Sequence, residues 1–150
     1  MKLAEALLLR AEYQQKIDIL KNRILQNLKV QEGDKPFENP NELLSELSDI
    51  NARLCELIKK INARNNITKL SDGKLLSDAL VERDMLMKKR QTLSAITQAA
   101  SVGHVRYSNA EIRTITVVSV EALQKQIDDI SKQFRELDTQ IQGLNWTVDL

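Results

Sequence analysis

The stretch that decides the fold spans residues 119–144 and reads SVEALQKQIDDISKQFRELDTQIQGL. Its apolar side chains recur at alternating spacings of three and four residues, namely Val120, Leu123, Ile127, Ile130, Phe134, Leu137, Ile141 and Leu144. This is the period of one face of an α-helix, and an unbroken heptad register favours coiled-coil packing against another helix. Ser119 is suited to cap the first turn. The pattern therefore predicts a long amphipathic helix.

Three further segments upstream carry the same helical period. The four predicted helices cover about 2–29, 40–63, 78–101 and 120–144. The second has the clearest start, because Asn39 is a capping residue, Pro40 takes the first helical position and Glu42 the third. Four helices of matched length predict a mainly α fold, an antiparallel bundle or coiled-coil arrangement within a single domain of residues 1–150.

Residues 102–118 differ from the helical segments because they are rich in β-branched side chains, and they predict a small β-hairpin. An isolated hairpin is only marginally stable in water, so this one must pack on the helices or pair with another chain. The tail Asn145–Leu150 is apolar enough to dock on the domain rather than fray.

Residues 67–76 admit two interpretations. Asp72-Gly73 is a strong turn signal, so the flanking residues can form a short two-stranded ribbon. Alternatively, Asp72 caps a helix that begins at once. We favour the ribbon, followed by a helix that Ser77 caps.

Charge and composition exclude several classes of protein. The chain has 150 residues, with 22 Lys and Arg against 21 Asp and Glu. This balance gives no general basic excess of the kind that neutralises nucleic-acid phosphates. No uncharged stretch approaches the roughly 20 residues that a transmembrane helix needs. Since Cys55 is the only cysteine, no intramolecular disulfide can form, and we predict a cytoplasmic protein.

The usual signatures of catalysis and metal binding are missing from the sequence. His104 is the only histidine, and no Glu-x-x-His pair of the kind used in helical metal sites occurs. Each glycine is isolated, so there is no Gly-rich phosphate loop. Cys55 follows Leu54 on a predicted helix, and we expect it to be a small buried side chain. The sequence therefore predicts no enzyme and no cofactor.

Three arginines occupy positions at which the helical spacing predicts an apolar side chain: Arg10, Arg83 and Arg90. They either lie at the edge of a face with their charged ends in water, or they form an internal ion-pair layer or anion-binding cluster. The candidate carboxylate partners are Glu5, Glu12, Glu46, Asp49 and Glu82. Among the sharper interpretations, we favour an ion-pair layer that sets helix register.

Several stretches together resemble one bacterial family. They are residues 2–7, Val30-Gln31-Glu32-Gly33, Asn39-Pro40, Ile61-Asn62-Ala63-Arg64-Asn65, Asp72-Gly73 ahead of residues 78–84, and Glu136-Leu137-Asp138 leading to Leu144-Asn145-Trp146. The chain is similar in this order of motifs to the septicolysin-like family of small, uncharacterised bacterial helical proteins. The resemblance implies a helical fold and a bacterial origin. The family name implies a membrane-active cytolysin, and no catalytic residues carry over.

The function is unknown from the sequence, and the favoured hypothesis is a non-enzymatic structural or protein-interaction bundle. Such a protein would form a homo-oligomer and present its loops to an unknown protein partner. The first alternative is a nucleic-acid or anion-binding module that uses Arg83, Arg90 and nearby lysines. The second is the membrane-active protein that the resemblance implies.

Overall fold

The computed structural model describes residues 1–102, 112 and 114–150, and this part of the chain contains four α-helices. They are α1 (Leu3–Gln26), α2 (Pro40–Asn65), α3 (Leu76–Ser101) and α4 (Val120–Thr147). The predicted mainly α fold with four long helices is confirmed. Within the described residues no β-strand occurs, and pairing is limited to isolated bridges.

The chain divides into two compact units. The first comprises Met1–Ser77 and Gln142–Leu150, and the second comprises Asp78–Ile141. In the first unit α1 packs against α2. In the second unit α3 contacts α4, as an ion pair between Arg83 and Asp138 shows.

The first unit has an aliphatic core between two antiparallel helices. Leu20 and Ile24 of α1 pack with Leu43 and Ile50 of α2, and Tyr13, Ile17 and Leu47 close the cluster at its edges. These residues belong to the faces that recur every three or four positions, so the helical period decides which side of each helix is buried. An ion pair between Lys16 and Glu46, 3.0 Å apart, lies beside this core.

The start of α2 matches the local signal in the sequence. The side chain of Asn39 accepts a hydrogen bond from the Asn41 N–H at 3.0 Å, and Pro40 opens the helix. The cap satisfies one of the backbone donors that the first turn leaves unpaired, while proline has no N–H to satisfy there.

The predicted ribbon at 67–76 is a tight turn with one antiparallel bridge, between Lys69 and Leu75. The Asp72 side chain accepts from the Lys74 N–H at 2.9 Å, and Gly73 has a φ of +87°, which favours glycine. The alternative in which Asp72 caps a helix is wrong. Ser77 is not the cap either, because α3 already begins at Leu76.

The bridge explains the early start of α3. The Leu76 N–H donates to the Thr68 carbonyl at 2.8 Å, so a residue eight positions earlier satisfies the first turn of the helix. This bond satisfies one of the backbone donors that the first turn of α3 leaves without a helical partner.

The predicted β-hairpin near 102–118 is not found. Residues 103–111 and 113 lie outside the described part of the chain, and the described remainder contains no strand. Thr116 donates its hydroxyl proton to the Ala100 carbonyl at 3.1 Å, where it satisfies the end of α3. β-branched composition reflects a fit to a half-buried pleated surface, and it does not by itself impose strand pairing.

The two chain ends of the first unit pair with each other. The Leu3 N–H donates to the Val148 carbonyl and the Leu150 N–H to the Met1 carbonyl, each at 2.9 Å. Lys2 Nζ lies 3.0 Å from Asp149 Oδ1, and this ion pair lowers the pKa of the Asp149 carboxyl. The apolar tail therefore docks as expected, and Leu3 is fully buried beneath it.

A polar clamp fastens the end of α1 to the loop that precedes α2. Arg23 binds the Glu38 carboxylate with both Nε, at 3.1 Å, and Nη2. The buried Asn27 amide donates to the Arg23 carbonyl at 2.8 Å and accepts from the Glu38 N–H at 2.9 Å. These bonds end α1 at Gln26, three residues before the predicted end.

The clamp predicts a pH-dependent contribution to stability. The hydrogen bond from Arg23 holds the pKa of Glu38 below its ordinary value of 4.5. A carboxyl with a lowered pKa stabilises the folded state above its ordinary pKa, and that stabilisation is lost as the pH falls through the folded-state pKa. Glu38→Gln should therefore be less stable than the parent at neutral pH and equally stable in acid, as measured by urea denaturation midpoints.

The matched control is Glu32→Gln, which removes the same charge from the same loop at an exposed site. Its midpoint should follow the parent at both pH values. If Glu38→Gln lost as much stability at acid pH as at neutral pH, the contribution of Glu38 to stability would not be ionic.

Candidate functional site

Arg83 is held on α3 by a carboxylate of α4. Its Nη1 lies 2.9 Å from Asp138 Oδ1, and its Nε lies 3.8 Å from the Asp84 carboxylate. The Arg83 side chain is only 24% exposed, so solvent screens the pair less than it would at an open surface. Asp138 was not among the carboxylates expected from the sequence to pair with Arg83.

Arg90 lies one heptad along α3 from Arg83 and contacts an aromatic ring instead of a carboxylate. Its guanidinium carbon lies 5.8 Å from the centroid of the Phe134 ring, within the range of a cation–π interaction. Its Nη2 also donates to the Met87 sulfur at 3.3 Å. The contacts of Arg83 and Arg90 run in opposite directions along α3 and α4, so the two helices are antiparallel within this unit.

Arg10 belongs to the first unit, where it is half-buried on α1. Its side chain forms no ion pair or hydrogen bond with any other described residue. Arg83 and Arg90 share a face of α3, whereas a single cluster that also includes Arg10 stays a prediction.

The heptad face of the second unit is incompletely buried. Of its described residues only Ala79, Ile130 and Ile141 are buried. The remaining apolar face residues are half-buried, namely Leu80, Leu86, Met87, Leu93, Leu123, Ile127, Phe134 and Leu137. Two helices leave one side of their shared seam open, and a domain core needs a further layer to cover it.

A second apolar surface of α3 lies beside this seam. Val81, Met85 and Ile96 are 62%, 57% and 44% exposed, and with Thr92 they recur every four or seven residues along one side of the helix. We name these four residues the α3 stripe. It borders a groove of about 570 Å³ whose walls include Leu86, Leu93 and Gln133. From the sequence, Ile96 was expected on the apolar face of α3 together with Leu93, whereas Val81 and Met85 were not predicted to form a surface, although their spacing is visible.

Charge is unevenly distributed along α3. Its first half carries Asp78, Glu82 and Asp84, and the next turns carry Lys88, Lys89 and Arg90. Lys88 and Lys89 are exposed and line the groove beside the α3 stripe. The helix therefore presents an acidic end and a basic middle next to an exposed apolar surface.

The described residues hold no cluster of three or more His, Cys, Asp or Glu that could hold a metal ion. Cys55 is exposed, so the prediction that it is buried is wrong. One residue past Leu54, a side chain has turned about 100° away from the buried face of α2. His104 lies outside the described residues. In the part of the chain that the structure describes, no helix combines the length and the apolar character that crossing a membrane requires.

Comparison with known proteins relates the whole chain to proteins of unknown function. Residues 10–150 match a model described as a family of unknown function, DUF6847. A crystal structure of a functionally unknown conserved protein from Corynebacterium diphtheriae is 41% identical in sequence, with a TM-score of 0.93. The match covers 100% of this chain and 98% of that one. No protein with a curated description matches.

These matches correct the family resemblance inferred from the sequence. The proposed membership of the septicolysin-like family is wrong, because the model that matches residues 10–150 is that of DUF6847. Short motifs such as Asp72-Gly73 and Asn39-Pro40 record turns and helix caps, which unrelated helical proteins share for physical reasons.

Proposed function

We propose, on the premise that this chain belongs to the family of unknown function DUF6847, that it is a non-enzymatic structural protein whose second unit self-associates. The observation that carries the proposal is the exposed α3 stripe beside an incompletely buried seam. A second copy of the α3–α4 pair would supply the missing layer and make a four-helix arrangement.

The charge pattern of α3 favours a second copy of this chain as the occupant. In an antiparallel pairing of two α3 helices, the acidic first half of each meets the basic middle of the other. Such an interface is isologous, since the same surface serves both subunits and closes after two copies. Opposed charges at its rim also disfavour the parallel pairing, which would place like charges together.

A two-fold axis near Met85 places the two Met85 side chains against each other and satisfies the charge requirement. Residues equally distant from Met85 then face each other, so Glu82 of one copy faces Lys88 of the other. Val81 faces Lys89, whose methylene stem can cover it while the ammonium stays in water.

In this proposal residues 1–150 act as one domain, and Arg83 and Arg90 set helix register instead of binding an anion. The support is that Arg83 is already paired with Asp138 and that Arg90 lies over Phe134. An arginine whose donors are engaged within its own unit has less capacity for a phosphate or carboxylate ligand.

Met85→Asp should weaken self-association by at least about tenfold, because it places a carboxylate at the centre of an apolar contact. Sedimentation equilibrium over a wide range of concentrations measures the change, with the parent chain expected to be dimeric. Leu25→Asp is the matched control, since it puts the same charge at a similarly exposed leucine, 59% against 57%, in the other unit. The control should dimerise as the parent does.

A charge exchange tests the antiparallel register separately. Glu82→Lys and Lys88→Glu should each weaken the dimer, and the double variant should recover affinity because the opposed charges are restored. A parent chain that stays strictly monomeric at high concentration would overturn the proposal, and so would a double variant no better than the single ones.

A further inference from the structure

A groove of about 870 Å³ lies in the first unit, along the open side of the α1–α2 pair. Its floor is apolar, with Leu9 and Tyr13 from α1 and Leu57 from α2. Ile67, which is 66% exposed, and Leu150 extend this floor toward the paired chain ends. The groove therefore presents hydrocarbon to solvent over several turns of α2.

Three cations line one wall of this groove. Arg53, Lys60 and Arg64 lie seven and four residues apart on α2, a spacing that places them along one side of the helix. None of the three forms an ion pair with another described residue.

The one acidic side chain among the lining residues is already engaged. Glu56 Oε1 lies 2.7 Å from Lys59 Nζ, and this hydrogen bond lowers the pKa of the carboxyl. Lys60 also lowers the pKa of Glu56, and Arg64 lowers that of Asp149, but neither contact is close enough to be an ion pair, so the cations of the basic wall stay available to a ligand.

The spacing of the cations indicates the shape of a complementary ligand. Eleven residues of α-helix extend about 16 Å, so a single carboxylate or phosphate cannot contact both Arg53 and Arg64. A second helix laid along α2 repeats its side chains at the same interval and can place an acidic residue opposite each cation. Its apolar face would then cover Leu9, Tyr13 and Leu57, as a third helix covers a helical pair.

We propose that this groove, which we name the basic groove, binds an acidic amphipathic helix of a partner protein. The partner carries carboxylates spaced by seven and four residues beside an apolar face of about three turns. The α3 stripe lies in the other unit and takes no part, so the proposal stands independently of self-association through α3.

The probe is a synthetic helical peptide of about 18 residues, long enough to retain helicity, with leucines on one face and glutamates spaced by seven and four along its edge. A second peptide carries lysines at the same positions. Fluorescence anisotropy of each labelled peptide is followed as the protein is added, at low and at high salt. We expect the glutamate peptide to bind and the lysine peptide not to bind, with affinity falling as salt rises.

Arg53→Glu/Lys60→Glu reverses two exposed charges of the basic groove. It should lower the affinity for the glutamate peptide by about tenfold or more, and the variant should bind the lysine peptide. The control Lys21→Glu/Lys29→Glu makes the same change in net charge at exposed sites of the first unit outside the groove. Circular dichroism of both variants verifies the helical fold.

The proposal would be overturned by equal binding of the two peptides, by no binding of the glutamate peptide, or by the same loss of affinity in the control variant. Met85→Asp separates this proposal from self-association, because it should bind the glutamate peptide as tightly as the parent does. Loss of peptide binding in Met85→Asp would place the peptide on the α3 stripe and also overturn the proposal.

Discussion

Leu20→Ala should lower the free energy of unfolding by about 3 kcal/mol, the largest effect that we expect from a single substitution. Leu20 is fully buried between Ile24, Leu43 and Ile50. Removing its branched end costs the transfer free energy of the lost carbons and leaves a cavity that two packed helices can only partly close. The loss would appear as a lower urea midpoint with an unchanged dependence on denaturant concentration.

Trp146, the only tryptophan, belongs to the first unit, so its fluorescence reports on the unfolding of that unit. Leu25→Ala is the matched control, since it makes the same chemical change on the same helix at a side chain that is 59% exposed. Its effect should stay within about 0.5 kcal/mol. Equal losses in the two variants would contradict the assignment of Leu20 to the core.

Asn27→Ala should lower the free energy of unfolding by about 2 kcal/mol, because the buried Asn27 amide makes two hydrogen bonds. Without it, the Glu38 N–H and the Arg23 carbonyl lose their partners, and the exit of the chain from α1 is no longer held. Thermal denaturation followed by circular dichroism measures the change.

The control for Asn27 is Asn51→Ala, in which an exposed asparagine of α2 is truncated in the same way. Alanine has the higher helix propensity, so this variant should be as stable as the parent or slightly more stable. If Asn27→Ala were as stable as Asn51→Ala, the clamp would contribute nothing to the fold.

Local chemistry was enough to place the features whose cause is local. Asn39 and Pro40 mark the start of α2 because capping and the missing proline N–H involve only neighbouring residues. The turn at Asp72-Gly73 follows from a positive φ that glycine adopts without strain. The heptad face of 120–144 predicted a helix that the structure confirms.

Features that depend on distant residues were not predictable in this way. The start of α3 at Leu76 is decided by the carbonyl of Thr68, and the end of α1 by the bonds of Asn27 to the loop before α2. Leu3 pairs with Val148 across almost the whole length of the chain. The spacing of apolar residues does not indicate which distant residues will form these hydrogen bonds.

The candidate site shows the same division. The sequence singled out Arg83 and Arg90, but a list of possible carboxylates could not identify Asp138, which only the antiparallel packing of α4 brings near. Cys55 was expected to be buried and is exposed, since one step along the helix from Leu54 turns the side chain by about 100°.

The amino-acid sequence by itself determined that four amphipathic helices form and which face of each is apolar, because helical period and capping are short-range effects. The tertiary structure alone decided how completely each face is covered. The α1–α2 core buries Leu20, whereas the face of α3 and α4 stays half-open and Met85 is exposed. Burial depends on how many neighbouring helices pack around a face, and the period of a single helix carries no information on that number.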